Sequence, residues 1–250
     1  MKTFGLIGES LQHSFSKQYF TDKFKRNNWN DVKYELFEIT ELGELNTFLQ
    51  NNETLCGLNV TIPYKQSILS YLDELDETAK IVSAVNCIKI IRNKGALYLK
   101  GYNTDILGFS SAIKPFLESS HQKALILGTG GASKAVYYVL NQLGIDCYFV
   151  SQTKREKQTN TFQYSDINEI MLSSFKLIVN TTPLGMYPNV STCPELPFQY
   201  INETHFVFDL VYNPEETLLI KKSKEKGALT QNGLSMLYLQ AEKGWEIWNT

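Results

Sequence analysis

Apolar positions follow two alternating spacings along the first part of the chain. Short continuous apolar runs are typical of buried strands, and each is followed by a segment whose apolar residues recur every three or four positions, as in an amphipathic helix. The predicted strand and helix pairs are 3–7 with 16–28, 33–39 with 41–49, and 56–61 with 64–72. This alternation predicts α/β units around a largely parallel sheet.

The alternation is interrupted by two short strand-like runs at 86–91 and 96–100. Between them lies Arg92-Asn93-Lys94-Gly95, and Asn and Gly tolerate the positive φ that tight hairpin turns require. The two runs therefore predict a hairpin, which adds an antiparallel pair to the first sheet.

A helix over 105–117 connects this part to a second alternation of strands and helices. Its apolar spacing suits a helix, although Pro115 predicts that the regular part ends early. The polar stretch 152–160 is interpreted as a solvated loop. The later elements are strands at 124–127, 146–150, 177–180, 206–210 and 228–230, with helices at 132–143, 214–226 and 234–248.

Composition and charge exclude several classes of protein. The 250 residues are 43% hydrophobic and 20% charged, which favours one large or two small packed domains over a disordered chain. A formal net charge of −2 provides no excess positive field for nucleic acid or anionic membranes. We therefore expect neither as a partner.

The cysteines and the N-terminus indicate a cytoplasmic protein. Cys56, Cys87, Cys147 and Cys193 lie far apart and do not cluster with the three histidines, so reduced thiols and no metal site are expected. The first ten residues lack the apolar run of a signal peptide, and no stretch approaches the roughly 18 apolar residues of a membrane span.

A glycine-rich turn at 128–133 stands between a predicted strand and a predicted helix. Gly128 permits a tight turn, and Gly130 removes a side chain where backbone approaches a pyrophosphate. Gly131, Ala132 and Ser133 begin the helix, whose free N–H groups attract anions, although Ser133 replaces the third glycine of the usual motif. The turn predicts a dinucleotide site; the alternative is a tight turn without a ligand.

The end of the next strand bears on which dinucleotide binds. An NAD site usually has a carboxylate there, whereas this chain continues Ser151-Gln152-Thr153-Lys154-Arg155. These side chains can donate hydrogen bonds to a 2′-phosphate, which favours NADP over NAD. Alternatively, Lys154 and Arg155 are ordinary solvated charges.

Small polar residues are dense beside the predicted strand ends of the first half. Taken singly, each has an ordinary structural explanation: Ser14 or Ser16 as a helix cap, Asn59 as a turn residue, Lys65 as a surface charge, and Asp105 as the cap of the following helix. Taken together, the hydroxyls and amides suit a small polyhydroxylated ligand.

In order along nearly the whole chain, these motifs form a pattern similar to that of the shikimate dehydrogenase family. The blocks are Gly5-Leu6-Ile7-Gly8, His13-Ser14-x-Ser16, Asn59-Val60-Thr61-x-Pro63-x-Lys65, Ala84-Val85-Asn86, Gly101-x-Asn103-Thr104-Asp105, Gly128-x-Gly130-Gly131-Ala132-Ser133, Asn180-x-Thr182-Pro183-x-Gly185-Met186, Asp209-x-x-Tyr212-Asn213-Pro214 and Gly233-Leu234-x-Met236-Leu237-x-x-Gln240-Ala241.

The resemblance implies an α/β substrate-binding domain with a mostly parallel sheet, formed by 1–103 and 233–250. It also implies a Rossmann-type NADP-binding domain at 104–232, with the active site in the cleft between the two. The implied reaction is the reversible NADPH-dependent reduction of 3-dehydroshikimate to shikimate on the route to aromatic amino acids. A small-molecule substrate is then the expected partner, for a monomer or homodimer.

The resemblance also assigns roles to individual residues. Ser14 and Ser16 would hold the substrate carboxylate with help from Tyr212. Thr182, Met186 and Gly233 would line the cofactor. The residues implied to bind ring hydroxyls are Asn59, Thr61, Asn86, Asp105 and Gln240.

The chemistry of ketone reduction explains why Lys65 and Asp105 would be needed in the active site. As hydride reaches carbon, a proton must reach oxygen, and an ammonium can deliver it while stabilising the developing alkoxide. Lys65 suits that role, and Asp105 would orient the ammonium and the adjacent hydroxyl. The charge of Asp105 alone raises the pKa of Lys65 and burial lowers it, so the net direction stays open.

One block departs from the family pattern. NADP-preferring members typically carry Asn-Arg-Thr after the second strand of this domain, and this chain has Ser151-Gln152-Thr153. Gln152 thus stands where an arginine would cover the 2′-phosphate. Two alternative functions remain: an NAD-using quinate/shikimate dehydrogenase, and a catalytically silent module that senses shikimate.

Overall fold

The protein, described here from a computed structural model that covers residues 1–12, 14–93, 95–153 and 160–250, forms two compact units. Met1–Thr104 and Ala241–Thr250 form the first, and Asp105–Gln240 form the second. This division differs from the predicted domains at residues 104 and 233–240, because the first half of the C-terminal helix packs with the second unit.

The first unit contains a six-stranded sheet in the order β2-β1-β3-β5-β6-β4. Strands β2, β1 and β3 are parallel, and β5 is antiparallel to both β3 and β6. The predicted parallel sheet with an antiparallel hairpin is therefore confirmed. The elements are β1 (Lys2–Gly8), α1 (Ser16–Arg26), β2 (Val32–Glu38), α2 (Leu45–Asn51), β3 (Leu55–Val60), β4 (Glu74–Leu75), α3 (Glu77–Val82), β5 (Cys87–Asn93) and β6 (Ala96–Tyr102).

Aromatic packing fixes the C-terminal segment to this sheet. The Trp248 ring stacks on Phe4 with ring centroids 5.0 Å apart, and its indole Nε1 donates to the carbonyl of Ile88 at 3.0 Å. Gly57 of β3 leaves room for this ring, since a Cβ there would lie 2.3 Å from Trp248 Cδ1. Burial of such rings contributes several kcal/mol, of order 25 cal/mol per Å² of apolar surface.

The second unit contains a fully parallel six-stranded sheet in the order β12-β11-β10-β7-β8-β9. This is the doubly wound order, which reverses between β7 and β10, and it confirms the predicted Rossmann-type fold. The elements are α4 (Asp105–Ile113), β7 (Lys123–Leu127), α5 (Gly131–Gln142), β8 (Asp146–Ser151), β9 (Thr161–Gln163), α6 (Glu169–Ser174), β10 (Leu177–Asn180), β11 (Phe206–Asp209), α7 (Leu218–Lys224), β12 (Leu229–Asn232) and α8 (Leu234–Asn249).

The helix predicted at 64–72 is wrong as an α-helix, because only a 3₁₀ segment, Ser67–Tyr71, forms there. The carbonyl of Lys65 accepts from the N–H of Val85 at 2.7 Å. In an α-helix this carbonyl would accept from the backbone N–H four residues further along the chain. Its bond to Val85 replaces that helical bond.

Two other boundaries also follow from local hydrogen bonds. The helix predicted from 214 begins at Leu218, because the hydroxyl of Thr217 caps the N–H of Ile220. The helix predicted over 105–117 ends at Ile113 and continues as a 3₁₀ turn containing Pro115, as its sequence indicates. Among the described residues, no helix is both long and apolar enough to cross a membrane.

Candidate active site

The polar residues predicted in the first half lie at one edge of the first sheet. The carboxyl ends of β1, β3 and β6 and the start of the antiparallel β5 meet there, since Ile7 pairs with Val60, and Cys87 pairs with both Asn59 and Tyr102. This edge carries the predicted catalytic residue Lys65 and the predicted substrate-binding residues of the unit, namely Ser14, Ser16, Asn59, Thr61 and Asn86.

A buried tyrosine that the sequence did not single out connects two of these residues. The hydroxyl of Tyr34 donates to Oδ1 of Asn59 at 2.8 Å and is hydrogen-bonded to Ser16. Burial raises the pKa of Tyr34 well above its ordinary value, and the Ser16 hydrogen bond opposes this shift. The Tyr34 hydroxyl therefore stays protonated and holds Asn59 as a fixed donor–acceptor group.

Asn86, just before β5, joins two segments at the same edge. Its Oδ1 accepts from the N–H of Thr104 at 2.7 Å, and its Nδ2 donates to the Thr104 hydroxyl at 3.0 Å. The neighbouring Asn103 donates from Nδ2 to the carbonyl of Ala84 at 2.9 Å. These bonds determine the direction in which the chain enters α4, whose first residue is Asp105.

Lys65 and the two serines lie on short turns rather than on the sheet itself. Lys65 is half-buried, and its carbonyl is held by Val85. Ser14 and Ser16 are also half-buried at the start of α1, where Oγ of Ser14 accepts from the N–H of Ser16 at 3.3 Å. The structure thus gathers an ammonium group, hydroxyls and amides at one edge of the first unit.

The glycine-rich turn of the second unit follows β7. Gly128 has a φ of +100°, and a Cβ there would lie 2.9 Å from Thr182 Cγ2, so both its conformation and its surroundings require glycine. A Cβ on Gly130 would meet no atom within 4 Å, so the turn faces open space on that side. Ser133 is buried and donates from Oγ to the carbonyl of Gly130 at 2.7 Å, which stabilises the turn.

This turn lies at the point where the strand order reverses. Its strand β7 is paired with β10, and Thr181 after β10 donates from both N and Oγ1 to the carbonyl of Leu127. Ligands of doubly wound sheets bind at the carboxyl ends of the strands at this switch point. The N-terminal turn of the twelve-residue helix α5, with Gly131 and Ala132, adds backbone N–H groups that suit a pyrophosphate. The residues present therefore fit a dinucleotide.

The segment after β8 is described only in part. Ser151 is half-buried, and its Oγ accepts from the N–H of Thr153 at 3.4 Å. Gln152 and Thr153 are exposed. Lys154 and Arg155, predicted as possible 2′-phosphate donors, lie outside the described residues, as does His13 of the second motif.

The remaining predicted residues all belong to the second unit. Met186 is 41% exposed, whereas Tyr212 and Gln240 are half-buried. A Cβ on Gly233 would lie 2.1 Å from the carbonyl oxygen of Leu210, so packing against the backbone by itself requires glycine there. With Asp105 and Thr182 also in this unit, the predicted site residues are divided between the two units.

A second buried network was not predicted at all. Asp209, the last residue of β11, is fully buried and accepts hydrogen bonds from Asn180, Val211 and Thr217. A single carboxylate that ends an otherwise apolar strand was the signal available in the sequence.

Known proteins resemble this chain over its whole length. A family model described as the shikimate dehydrogenase substrate binding domain matches residues 6–88. A relative named shikimate dehydrogenase (NADP(+)), from Methanococcus aeolicus, is 36% identical, with 99% of this chain and 91% of the relative covered.

Solved structures agree with that similarity. A shikimate dehydrogenase in complex with NADP+ is 33% identical, with a TM-score of 0.84 over 99% of this chain and 90% of that chain. Shikimate 5-dehydrogenase from Thermus thermophilus, in complex with NADP(H) and shikimate, is 28% identical, with a TM-score of 0.84 over 99% and 93% of the two chains. On this similarity and on the fold, the chain belongs to the shikimate dehydrogenase family.

Proposed function

We propose that this protein catalyses the reversible NADPH-dependent reduction of 3-dehydroshikimate to shikimate. The observation that carries the proposal is the whole-length similarity to an enzyme of that name that is 36% identical. The activity and the cofactor predicted from the sequence are those named for this relative. The polar edge of the first unit and the glycine-rich turn of the second unit support the same reaction.

The carboxylate of the substrate would be held by neutral donors. Ser14 and Ser16, at the start of α1, donate to this carboxylate, and Tyr212 assists them. Asn59, held by Tyr34, presents its amide to a ring hydroxyl. The other residues assigned to ring hydroxyls are Thr61, Asn86, Asp105 and Gln240.

Lys65 is the proton donor for the ketone oxygen in the direction of reduction. Bound NADPH would supply the hydride for the carbonyl carbon and would itself be converted to NADP+. The C=O double bond becomes a C–O single bond, and the oxygen takes its proton from the Lys65 ammonium, which is left as a neutral amine. Solvent returns the proton to Lys65 before the next turnover. General acid groups of this kind typically contribute about 10²–10⁴ in rate.

Asp105 orients this proton transfer. It is 1% exposed at the start of α4 and directly follows Thr104, which Asn86 holds through two hydrogen bonds. Its carboxylate would accept a hydrogen bond from the substrate hydroxyl, and the family resemblance implies that it also orients the ammonium of the proton donor. A fixed carboxylate keeps both groups aligned without a loss of entropy at each turnover.

The cofactor would be held by the turn at the switch point of the second sheet. Gly128, Gly130 and the first turn of α5 accommodate its pyrophosphate. Ser151, Gln152 and Thr153 donate to the 2′-phosphate as neutral groups. Thr182, Met186 and Gly233 would line the cofactor, Gly233 by presenting its backbone close to the nicotinamide.

Gln152 bears on one alternative, an NAD-using quinate/shikimate dehydrogenase, which the absence of a carboxylate near Ser151 disfavours. A neutral amide provides neither the charge nor the bidentate geometry of arginine for a phosphate, so it discriminates less between NADP and NAD. A silent shikimate-sensing module is the second alternative, and the presence of both Lys65 and Asp105 argues against it. A cytoplasmic location and a monomeric or homodimeric state stay predictions.

Steady-state kinetics with shikimate and quinate, each with NADP and NAD, separate these possibilities. The proposal predicts the highest kcat/KM for shikimate with NADP. A higher value for quinate with NAD would replace it with the first alternative. Calorimetric binding of shikimate without any turnover in the four combinations would identify the sensing module.

A further inference from the structure

The carboxylate of Asp209 is buried among neutral donors. Its Oδ1 accepts from Nδ2 of Asn180 at 2.8 Å and from the N–H of Val211 at 3.0 Å. Its Oδ2 accepts from the hydroxyl of Thr217 at 2.6 Å. Burial raises the pKa of Asp209 to about 6, and these three hydrogen bonds oppose the shift. The burial of a charge among neutral donors costs stability, so a role other than stability explains this carboxylate better.

An ionised carboxylate constrains its neighbours because it can only accept hydrogen bonds. Asn180 must therefore turn its Nδ2 towards Asp209. Its Oδ1 then faces Thr182 and accepts from the backbone N–H at 3.0 Å and from the hydroxyl at 2.7 Å. A side chain at 209 that both donates and accepts hydrogen bonds would permit the Asn180 amide to rotate so that its Oδ1 and Nδ2 exchange places. The Nδ2 donor would then face the N–H of Thr182, which is also a donor.

The fixed Thr182 lies against the phosphate turn. Its Cγ2 lies 2.9 Å from the position that a Cβ would take on Gly128, and its hydroxyl accepts from the N–H of Leu184 at 3.3 Å. The contacts of Asp209 thus extend through Asn180 and Thr182 to the glycine-rich turn. All of these residues belong to the second unit.

We propose that Asp209 is a positioning residue for the cofactor: it fixes the orientation of Asn180 and thereby holds Thr182 against the turn at Gly128. The proposal rests on the proposed function for the identity of the ligand, NADP. Asp209 does not itself contact the ligand. Its effect is to keep the turn in the conformation that binds the pyrophosphate.

Protonation of Asp209 should have the same effect as replacing it by an amide, because a carboxylic acid also donates. The thiol of Cys193 is the titratable group that responds to the Asp209 charge. Burial raises the pKa of Cys193 to about 11, Lys222 lowers it and Asp209 raises it further. This thiol keeps its proton over the acidic and neutral range, so it does not contribute near pH 6. The comparison with Asp209→Asn isolates the part of any change near pH 6 that depends on residue 209.

The test is calorimetric binding of NADP to the wild-type protein and to Asp209→Asn, at about pH 8 and about pH 5. We expect the variant to bind NADP about tenfold more weakly at the higher pH, with an unchanged affinity for shikimate and no fall in Tm. The ratio of the two NADP dissociation constants should approach one at the lower pH. Titration of the 2′-phosphate affects both proteins equally and cancels in this ratio.

Asp76→Asn is the matched control. Asp76 caps α3 in the first unit, where its carboxylate also accepts two hydrogen bonds, from Ala79 and Thr78. This variant should bind NADP like the wild type at both pH values.

Equal NADP affinity of Asp209→Asn and the wild type at the higher pH would overturn the proposal. So would a ratio that does not change with pH, or a loss of both ligands together with a lower Tm, which would indicate a purely structural role. The test measures ligand binding and Tm and does not require turnover. It therefore decides the role of Asp209 even if the wild-type protein fails to oxidise shikimate.

Discussion

The amide oxygen of Asn86 accepts a hydrogen bond from the backbone N–H of Thr104 at 2.7 Å. The bond joins the start of β5 to the end of β6, and it fixes the residue that precedes Asp105. Asn86 therefore has a structural role beside the binding role that the family resemblance implies for it.

Asn86→Ala should lower the free energy of unfolding by about 1–3 kcal/mol, because it leaves the buried N–H of Thr104 without an acceptor. Denaturant unfolding measures the change. Asn27→Ala is the control, since Asn27 is exposed and donates to Lys23 only at the end of α1. If Asn86→Ala lowered the free energy of unfolding no more than this control does, the structural role of Asn86 would be contradicted.

Lys65→Ala should reduce kcat by about 10²–10⁴, with a smaller change in the KM for shikimate, because the proton donor is lost and the groups that bind the substrate remain. Steady-state kinetics test this. Lys80→Ala removes an exposed lysine that forms an ion pair with Glu77, and it should leave kcat unchanged. A folded Lys65→Ala protein with near-normal kcat would remove Lys65 from the mechanism.

The double variant Ser14→Ala and Ser16→Ala should weaken shikimate binding and leave NADP binding intact. Each hydrogen bond to a charged group contributes roughly 1.5–3 kcal/mol, and the two hydroxyls address the substrate carboxylate. Calorimetry with each ligand measures both effects. The double variant Ser70→Ala and Ser173→Ala removes two exposed hydroxyls as a control. Equal losses for both ligands would show that the 14–16 segment is not specific to the substrate.

Gln152→Arg should lower the KM for NADP and leave that for NAD nearly unchanged, because arginine adds a charge and a bidentate donor for the 2′-phosphate. The gain should shrink as salt screens the phosphate. Gln142→Arg provides the control, because Gln142 is exposed at the C-terminal end of α5, at the opposite end of that helix from the glycine-rich turn. An equal decrease in the KM for NAD would show that position 152 does not face the 2′-phosphate.

Asp209 should make stability depend on pH. Its pKa is about 6 in the folded protein against 3.8 for an ordinary aspartate, so the folded state holds this proton more tightly. The contribution of this group is fully present below about pH 4 and is lost as the pH rises through about 6. Asp209→Asn removes the charge and should therefore raise the free energy of unfolding at about pH 8 by up to about 3 kcal/mol.

Chemical denaturation at several pH values measures this difference between Asp209→Asn and the wild type. The gain should disappear below about pH 4, where both side chains are neutral. A variant less stable than the wild type at about pH 8 would show that the carboxylate stabilises the fold despite its burial.

Local patterns were sufficient to predict most of the fold. The strand predicted at 177–180 agrees with β10, Leu177–Asn180, because three fully buried apolar positions form one run that ends at the buried Asn180. The turn at Gly128 could be predicted from the sequence because its glycines lie between an apolar strand and an amphipathic helix. By contrast, β9 has three residues and α6 has six, too few for a periodicity to be recognised, and neither was predicted.

The site was predicted less completely because its hydrogen bonds are long-range. In the sequence Tyr34 stands between two charged residues, like any residue on the inner face of a strand. Only the folded sheet brings its hydroxyl to Asn59, twenty-five residues along the chain. Asn180 and Asp209 belong to motifs that the sequence identified, but their mutual contact depends on the pairing of β10 with β11. Spacing along the chain carries no information about such contacts.

The most direct test of the proposed activity uses shikimate carrying deuterium on the carbon of its 3-hydroxyl, incubated with the purified protein and NADP+. The account predicts that 3-dehydroshikimate and deuterated NADPH form in equal amounts, and that Lys65→Ala forms both far more slowly. If neither product forms while shikimate and NADP+ both bind, the protein is not a shikimate dehydrogenase in activity, whatever its family.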